Sequence, residues 1–147
     1  MIYINIGEAI DIHNEILELT GGLKGINPTS IGYLESVLEH IKNDDYYPTF
    51  ESKMAHLFFS CVKFHPFPDG NKRTAVYLCM HFFFINEKEI IDKLEEKLEK
   101  LVLDVAEDKI SKDELRTIFK NFSVKANQKC EDIHITQLLT SDCETRE

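Results

Sequence analysis

His65-Pro66-Phe67-Pro68-Asp69-Gly70-Asn71-Lys72-Arg73 is the stretch on which the reading of this chain turns. Apolar segments flank it on both sides. Upstream, Ala55, Leu57, Phe58, Phe59, Cys61 and Val62 cover more than half the circumference of a helix expected over 51–64. So wide an apolar face makes that helix central and buried. Downstream, Ala75, Val76, Leu78, Cys79, Met80, Phe82, Phe83 and Phe84 are apolar nearly all round a second helix, opening at 70–72 and running to about Ile85. Pro66 and Pro68 bar the two from joining. At typical residue usage, six fixed positions (His65, Phe67, Asp69, Gly70, Asn71, Arg73) arise by chance roughly a few times in a million. The joint between the helices is therefore read as a functional loop.

Moving outward, the remaining pattern is helical. Tyr3-Ile4 is a short extended lead-in, and Asn5 caps a helix with Glu8 as its capping partner. Ile6, Ala9, Ile10, His13, Ile16 and Leu17 recur at helical spacing until Gly21-Gly22 stop the helix. Ser30 opens another, with Ile31, Leu34, Val37, Leu38 and Ile41 on one face. Residues 43–50 break the pattern: Asp44, Asp45 and Pro48 favour turns, Tyr46 and Tyr47 favour extended backbone, and a small hairpin or flap is expected. A helix is expected over 87–106, with Ile90, Ile91, Leu94, Leu98, Leu101 and Val105 on its stripe. Ser111 and Glu114 form a second capping box ahead of Leu115, Ile118 and Phe119. The fold class is all-α, a bundle of about six helices with a flap before the central one. It divides into a domain over 1–122 and a loosely attached tail over 123–147, with a short helix near 133–139.

The loop supplies the parts of a phosphate-transfer site. Backbone N–H groups at a helix start lack internal partners, and the helix dipole is positive there. Gly70 lets a phosphate approach that backbone closely. Lys72 and Arg73 add side-chain charge. Asp69 makes sense as the single carboxylate holding Mg²⁺, with nucleotide phosphates supplying further ligands. Histidine is the side chain that exchanges a proton near neutral pH, so His65 is the candidate general base toward an incoming hydroxyl. Phe67 points into the core and pins the loop. His13 reads as a hydrogen-bonded core histidine and Lys53 as half of a structural ion pair. His56 and His81 have no carboxylate partner at helical spacing and carry no assigned role.

The nine residues resemble the signature of the Fic/Doc superfamily, H-x-F-x-[DE]-G-N-x-R. His13, Gly21-Gly22, Leu34-Glu35-Ser36, Lys53 and the Asn71-to-Ala75 run support the likeness, which covers roughly the first 120 residues. Adenylyl-transferring Fic enzymes have a second glycine where Lys72 stands and a second arginine where Val76 stands. The Asn71-Lys72-Arg73 run is similar to the death-on-curing (Doc) toxin branch, whose best-known form has alanine where Gly70 stands. That resemblance implies a toxin of a toxin–antitoxin pair that transfers the γ-phosphate of ATP to a threonine of elongation factor Tu. The alternative it leaves open is a Fic-type adenylyl (NMP) transferase. Carried over by position, His65 is the catalytic base and Asp69 the Mg²⁺ ligand. Phe67, Gly70, Asn71, Lys72 and Arg73 form the ATP-binding set, and the 46–50 segment matches the family's flap, where a target peptide adds as a strand. A near match to the family's inhibitory (Ser/Thr)-x-x-x-Glu-(Gly/Asn) helix runs from Thr140 to Glu144, but Thr145 follows instead of glycine or asparagine. Restraint by a small antitoxin, folding as it binds, is the expectation.

The bulk properties fit a single domain with a real core. Of the 147 residues 43% are hydrophobic, and the formal net charge is −9, from 17 Lys+Arg against 26 Asp+Glu. That balance disfavours nucleic acid as a partner, which needs a broad basic face. Cys61, Cys79, Cys130 and Cys143 show no C-x-x-C pairing, and the first two sit in apolar runs as buried free thiols. No apolar stretch is long enough for a membrane span and no leader pattern appears, so a cytoplasmic protein with no membrane partner is expected.

Overall fold

A computed structural model describes residues 1–89 and 91–122 of the chain. Five helices are α1 (Ile6–Thr20), α2 (Ser30–His40), α3 (Phe50–Phe64), α4 (Asn71–Ile85) and α5 (Leu94–Ala106). A sixth, α6, covers 112–122, and no strand occurs among the described residues. The all-α expectation holds. Ile90 and the whole of 123–147 lie outside the described residues. With that tail go Cys130, Cys143, the helix expected near 133–139 and the stretch from Thr140 to Glu144.

Local chemistry sets most of the boundaries. Asn5 and Glu8 form the expected capping box: the Asn5 side chain accepts from Glu8 N–H at 2.9 Å, and Glu8 accepts from Asn5 N–H at 3.0 Å. Ser111 and Glu114 do the same ahead of α6, at 2.8 and 3.2 Å. Thr49 and Ser52 make a third box at the start of α3. Gly21 ends α1 at φ 82°.

Two expectations are corrected. Residues 43–49 form no hairpin: they are a turn, closed by Tyr47 N–H donating to the Asn43 carbonyl at 2.9 Å. The cause lies on α3, where the buried Lys53 ammonium donates to Asp44 Oδ1 at 2.7 Å and to the Ile41 carbonyl at 2.6 Å, drawing the segment back onto the bundle. The expected ion pair of Lys53 is thus present. The second correction is the start of α5, at Leu94 instead of residue 87. Asn86 binds both backbone groups of Ile2, and Glu87 takes a left-handed conformation at φ 54°. Lys88 N–H then reaches the Phe83 carbonyl at 2.9 Å, a Schellman closure of α4.

α3 is the central helix. Eleven of its fifteen residues are buried, and it packs against α2, α4 and α5, while α1 lies on α4 and α2. Phe50 stacks on Phe82 and meets Phe83 edge-on, and Phe58 meets Phe119 of α6 edge-on. Each such ring contributes roughly 1.5–3 kcal/mol on burial, so Phe58→Ala would cost about 3–5 kcal/mol. Cys61 and Cys79 are buried free thiols; burial pushes Cys61 up to about 12 and Cys79 well above the usual thiol value, leaving both unreactive. No helix among the described residues is long and apolar enough to cross a membrane. The consequence for function is simple: the α3–α4 joint is fixed at both ends by the most deeply packed helices in the molecule.

Candidate functional site

α3 ends on His65, whose backbone turns left-handed at φ 50°, ψ 60°. A residue before proline is steered toward extended backbone. A non-glycine at positive φ costs about 1–3 kcal/mol, so the surroundings must hold it. Asn27, on the loop between α1 and α2, does part of this. Its Nδ2 donates to the His65 carbonyl at 2.7 Å and its N–H to the Pro66 carbonyl at 2.9 Å. Asn71 holds the other side. Its Oδ1 accepts from Phe67 N–H at 3.0 Å, and its Nδ2 donates to the Phe67 carbonyl at 2.8 Å and lies 3.5 Å from His65 Nδ1.

His13 supports the loop from below. A carbonyl only accepts, so His13 Nε2 carries the hydrogen that it shares with the Asp69 carbonyl at 2.8 Å. Its ring stacks on Phe67, centroids 3.7 Å apart and planes 7° from parallel. Both rings are fully buried. The expectation of a hydrogen-bonded core histidine is met.

Asp69 and Arg73 share one corner. Asp69 Oδ1 accepts from Gly70 N–H at 2.8 Å, and Oδ2 accepts from Leu23 N–H at 3.3 Å. Arg73 Nη2 lies 3.8 Å from Oδ1, while Nη1 donates to the Thr20 hydroxyl, which itself donates to the Ile16 carbonyl. Gly22, at φ 130°, passes so close that a Cβ there would lie 2.7 Å from Asp69 Oδ2.

The amino terminus of α4 is left open. Gly70 precedes it at φ 79° with no side-chain cap, and the first intrahelical bond is Thr74 N–H to the Gly70 carbonyl at 2.9 Å. The N–H groups of Asn71, Lys72 and Arg73 therefore face outward from the positive end of the helix. An open pocket of about 430 Å³ sits there, lined by His65, Pro68, Asp69, Gly70, Asn71, Lys72 and Arg73. Lys72 is exposed and Arg73 half-buried. This is a basic, backbone-lined cradle with an imidazole on one wall and a carboxylate on another. Its chemistry suits a phosphate ester and a proton acceptor for an attacking hydroxyl.

Six of the seven candidate residues from the sequence thus line one pocket. Phe67 does not: its ring is in the core against His13, so it anchors the loop from behind. The opposing contacts from Thr20, Leu23 and Asn27 carry no assignment from sequence, and Gly22 enters there only with Gly21, as a helix stop and as support for the likeness. No three of His, Cys, Asp and Glu gather into a metal cage among the described residues. Asp69 alone, half-buried with Oδ2 committed to one long backbone bond, fits a Mg²⁺ held jointly with phosphate oxygens and water.

Elsewhere, His56 is buried beneath Tyr47, ring centroids 4.6 Å apart, and its Nδ1 lies 3.0 Å from Lys112 Nζ. Burial first, then the charges of Lys112 and His40, lower its pKa to about 4. An ammonium only donates, so His56 is the neutral acceptor of this pair.

Residues 3–83 match the family model described as Fic/DOC family. No curated protein matches the chain.

Proposed function

The chain belongs to the Fic/DOC family, generally transferases, and on that footing we propose that it transfers the γ-phosphate of ATP to a hydroxyl of a protein. It would do so as the toxin of a toxin–antitoxin pair. Val76 carries the choice of phosphoryl over nucleotidyl transfer. It stands where the adenylyl-transferring members have their second phosphate-binding arginine, and here it is 2% exposed, inside the core. The α4 start consequently offers one guanidinium, Arg73, and the exposed ammonium of Lys72. That cradle favours one terminal phosphate over a triphosphate laid along the helix end.

The residues then divide the work. The outward N–H groups of Asn71, Lys72 and Arg73 take the oxygens of the transferred phosphate, helped by the Arg73 and Lys72 side chains. His65 accepts the proton of the target hydroxyl as its oxygen forms a bond to phosphorus and the bond to the ADP oxygen breaks. Such a base is worth roughly 10²–10⁴ in rate. Asn71 keeps the loop at the spacing this needs, through its two bonds to Phe67. Asp69 would hold Mg²⁺ together with phosphate oxygens, and the ion when bound neutralises phosphate charge.

The target is a translation factor, elongation factor Tu by analogy with the Doc branch, and a small antitoxin partner restrains the enzyme. Incubating the protein and Mg²⁺ with a cell extract and ATP labelled at either the α or the γ position tests the reading. Protein-bound label from the γ position only, lost in His65→Ala, is expected. Label retained from the α position would overturn it in favour of nucleotidyl transfer.

A further inference from the structure

We propose that Asn27, outside the motif and 38 residues before its base, is a positioning residue that sets the orientation of the His65 imidazole. The inference rests on His65 being the proton acceptor of the transfer, whichever phosphate is moved.

The backbone of His65 is strained at φ 50°. Its left-handed conformation is disfavoured twice, for a residue with a Cβ and for a residue before proline. The natural relaxation is to extended backbone. Rotation about ψ and φ at that position swings the Cα–Cβ bond, and with it the ring, away from the pocket. The side chain does little to prevent this, because His65 is exposed and, among the described residues, its ring has one hydrogen-bond contact, the long one from Asn71 at 3.5 Å. The restraint has to act on the main chain. Among the described residues, the His65 carbonyl receives its hydrogen bond from Asn27 Nδ2 at 2.7 Å, and the next carbonyl, of Pro66, receives one from Asn27 N–H at 2.9 Å. One residue thus grips both peptide carbonyls that follow the strained position.

Asn27 is itself rigidly placed. Its carbonyl accepts from Ile31 N–H at 2.9 Å in the first turn leading into α2, and Pro28 follows. Leu23, four residues earlier on the same loop, donates to Asp69. The loop is therefore seated against the motif at two points, and only the Asn27 side chain reaches the base. Substitution removes one donor and leaves the backbone contacts of the loop in place.

The test compares Asn27→Ala and Asn27→Asp with the unchanged chain. Aspartate keeps the size but carries no hydrogen to donate. Both variants should lower kcat for protein labelling by roughly tenfold to a hundredfold, the scale of a base misplaced by about 1 Å. KM for ATP should stay within about twofold, because the α4 cradle is untouched, and Tm should stay within a few degrees. Unchanged kcat, or a rise in KM that accounts for the loss, overturns the role. Nuclear magnetic resonance of the His65 ring in the free protein gives a second reading that needs no substrate. Its signals should shift in both Asn27 variants while those of His13 stay in place, and unshifted His65 signals would sink the idea. If the unchanged chain labels nothing, the transferase reading has failed and Asn27 is judged on the resonances alone.

Discussion

Gly22→Ala separates the stability of the site from its chemistry. Gly22 lies at φ 130°, and a Cβ there would sit 2.7 Å from Asp69 Oδ2, 3.0 Å from Leu17 Cδ2 and 3.3 Å from Asp69 Cγ. A carbon and a carboxylate oxygen do not approach closer than about 3.2 Å without repulsion, so Asp69 must retreat by roughly 0.5 Å or the loop must lift. Either movement loosens the 3.3 Å bond from Leu23 N–H. Backbone strain at that φ costs about 1–3 kcal/mol, a fall in Tm of roughly 5–10 °C at this chain length. Gly21→Ala is the matched control: φ is 82° and a Cβ meets nothing within 4 Å, so it carries the strain without the collision. Both variants should lose Tm by calorimetry, Gly22→Ala at least as much as Gly21→Ala. Only Gly22→Ala should raise the Mg²⁺ concentration for half-maximal labelling and cut kcat, by about tenfold or more. If the two variants lose activity equally, or if the Mg²⁺ requirement of Gly22→Ala is unchanged, Asp69 is not the group the loop positions.

Asn71→Ala should cost stability as well as activity. It leaves Phe67 N–H and C=O without their partners, at about 1–3 kcal/mol for each group that stays dry, and thermal denaturation should fall by roughly 10 °C. Lys72→Ala should do the reverse: the side chain is exposed, so Tm should move by no more than about 2 °C, while KM for ATP rises several-fold in the labelling assay. His56 should make the protein acid-sensitive. Its pKa is lowered in the fold to about 4, so the neutral form favours folding. The associated stability is complete above the ordinary histidine value near 6.5 and is lost as pH falls toward 4. The loss amounts to about 2 kcal/mol once solvent screening is allowed for. Urea titrations at pH 7 and pH 4 should show His56→Gln losing less over this interval than the unchanged chain; an equal loss would remove His56 from the account.

What the sequence made legible, and what it hid, follows the range of the interactions. The Asn5–Glu8 and Ser111–Glu114 boxes span three residues each, and both were readable because a helix start is decided within one turn. The start of α5 was misread because the apolar stripe from Ile91 continues a helical period. Its start lies just after Lys93, left-handed at φ 58°, and the break from α4 begins at Asn86, which grips Ile2, 84 residues away. The turn at 43–49 looked like a flap because Tyr46 and Tyr47 suit extended backbone. The Lys53 ammonium decides otherwise from the next helix. Neither signal can be found in a local window.

The same division runs through the site. The motif half, His65 to Arg73, was legible because the chemistry needs those residue types close together in the chain. The half contributed by 20–27 was legible only at Gly21-Gly22, because the rest works through backbone groups, one hydroxyl and one amide, which any loop possesses. Yet that half determines what the motif can do. Thr20 and Asp69 both claim Arg73, and at 3.8 Å the Asp69–Arg73 contact is loose and half-exposed, worth no more than about 1 kcal/mol. An incoming phosphate, offering a doubly charged partner in the same cradle, can draw Arg73 from Asp69 at little cost. That exchange would leave the carboxylate with only its bonds from Gly70 and Leu23 N–H among the described residues, open to the proposed metal ion, while the bond to Thr20 keeps the guanidinium from leaving the pocket. If Asp69 holds Mg²⁺ as proposed, metal affinity should be weak in the absence of nucleotide, and nucleotide and Mg²⁺ should reinforce each other's binding through Arg73.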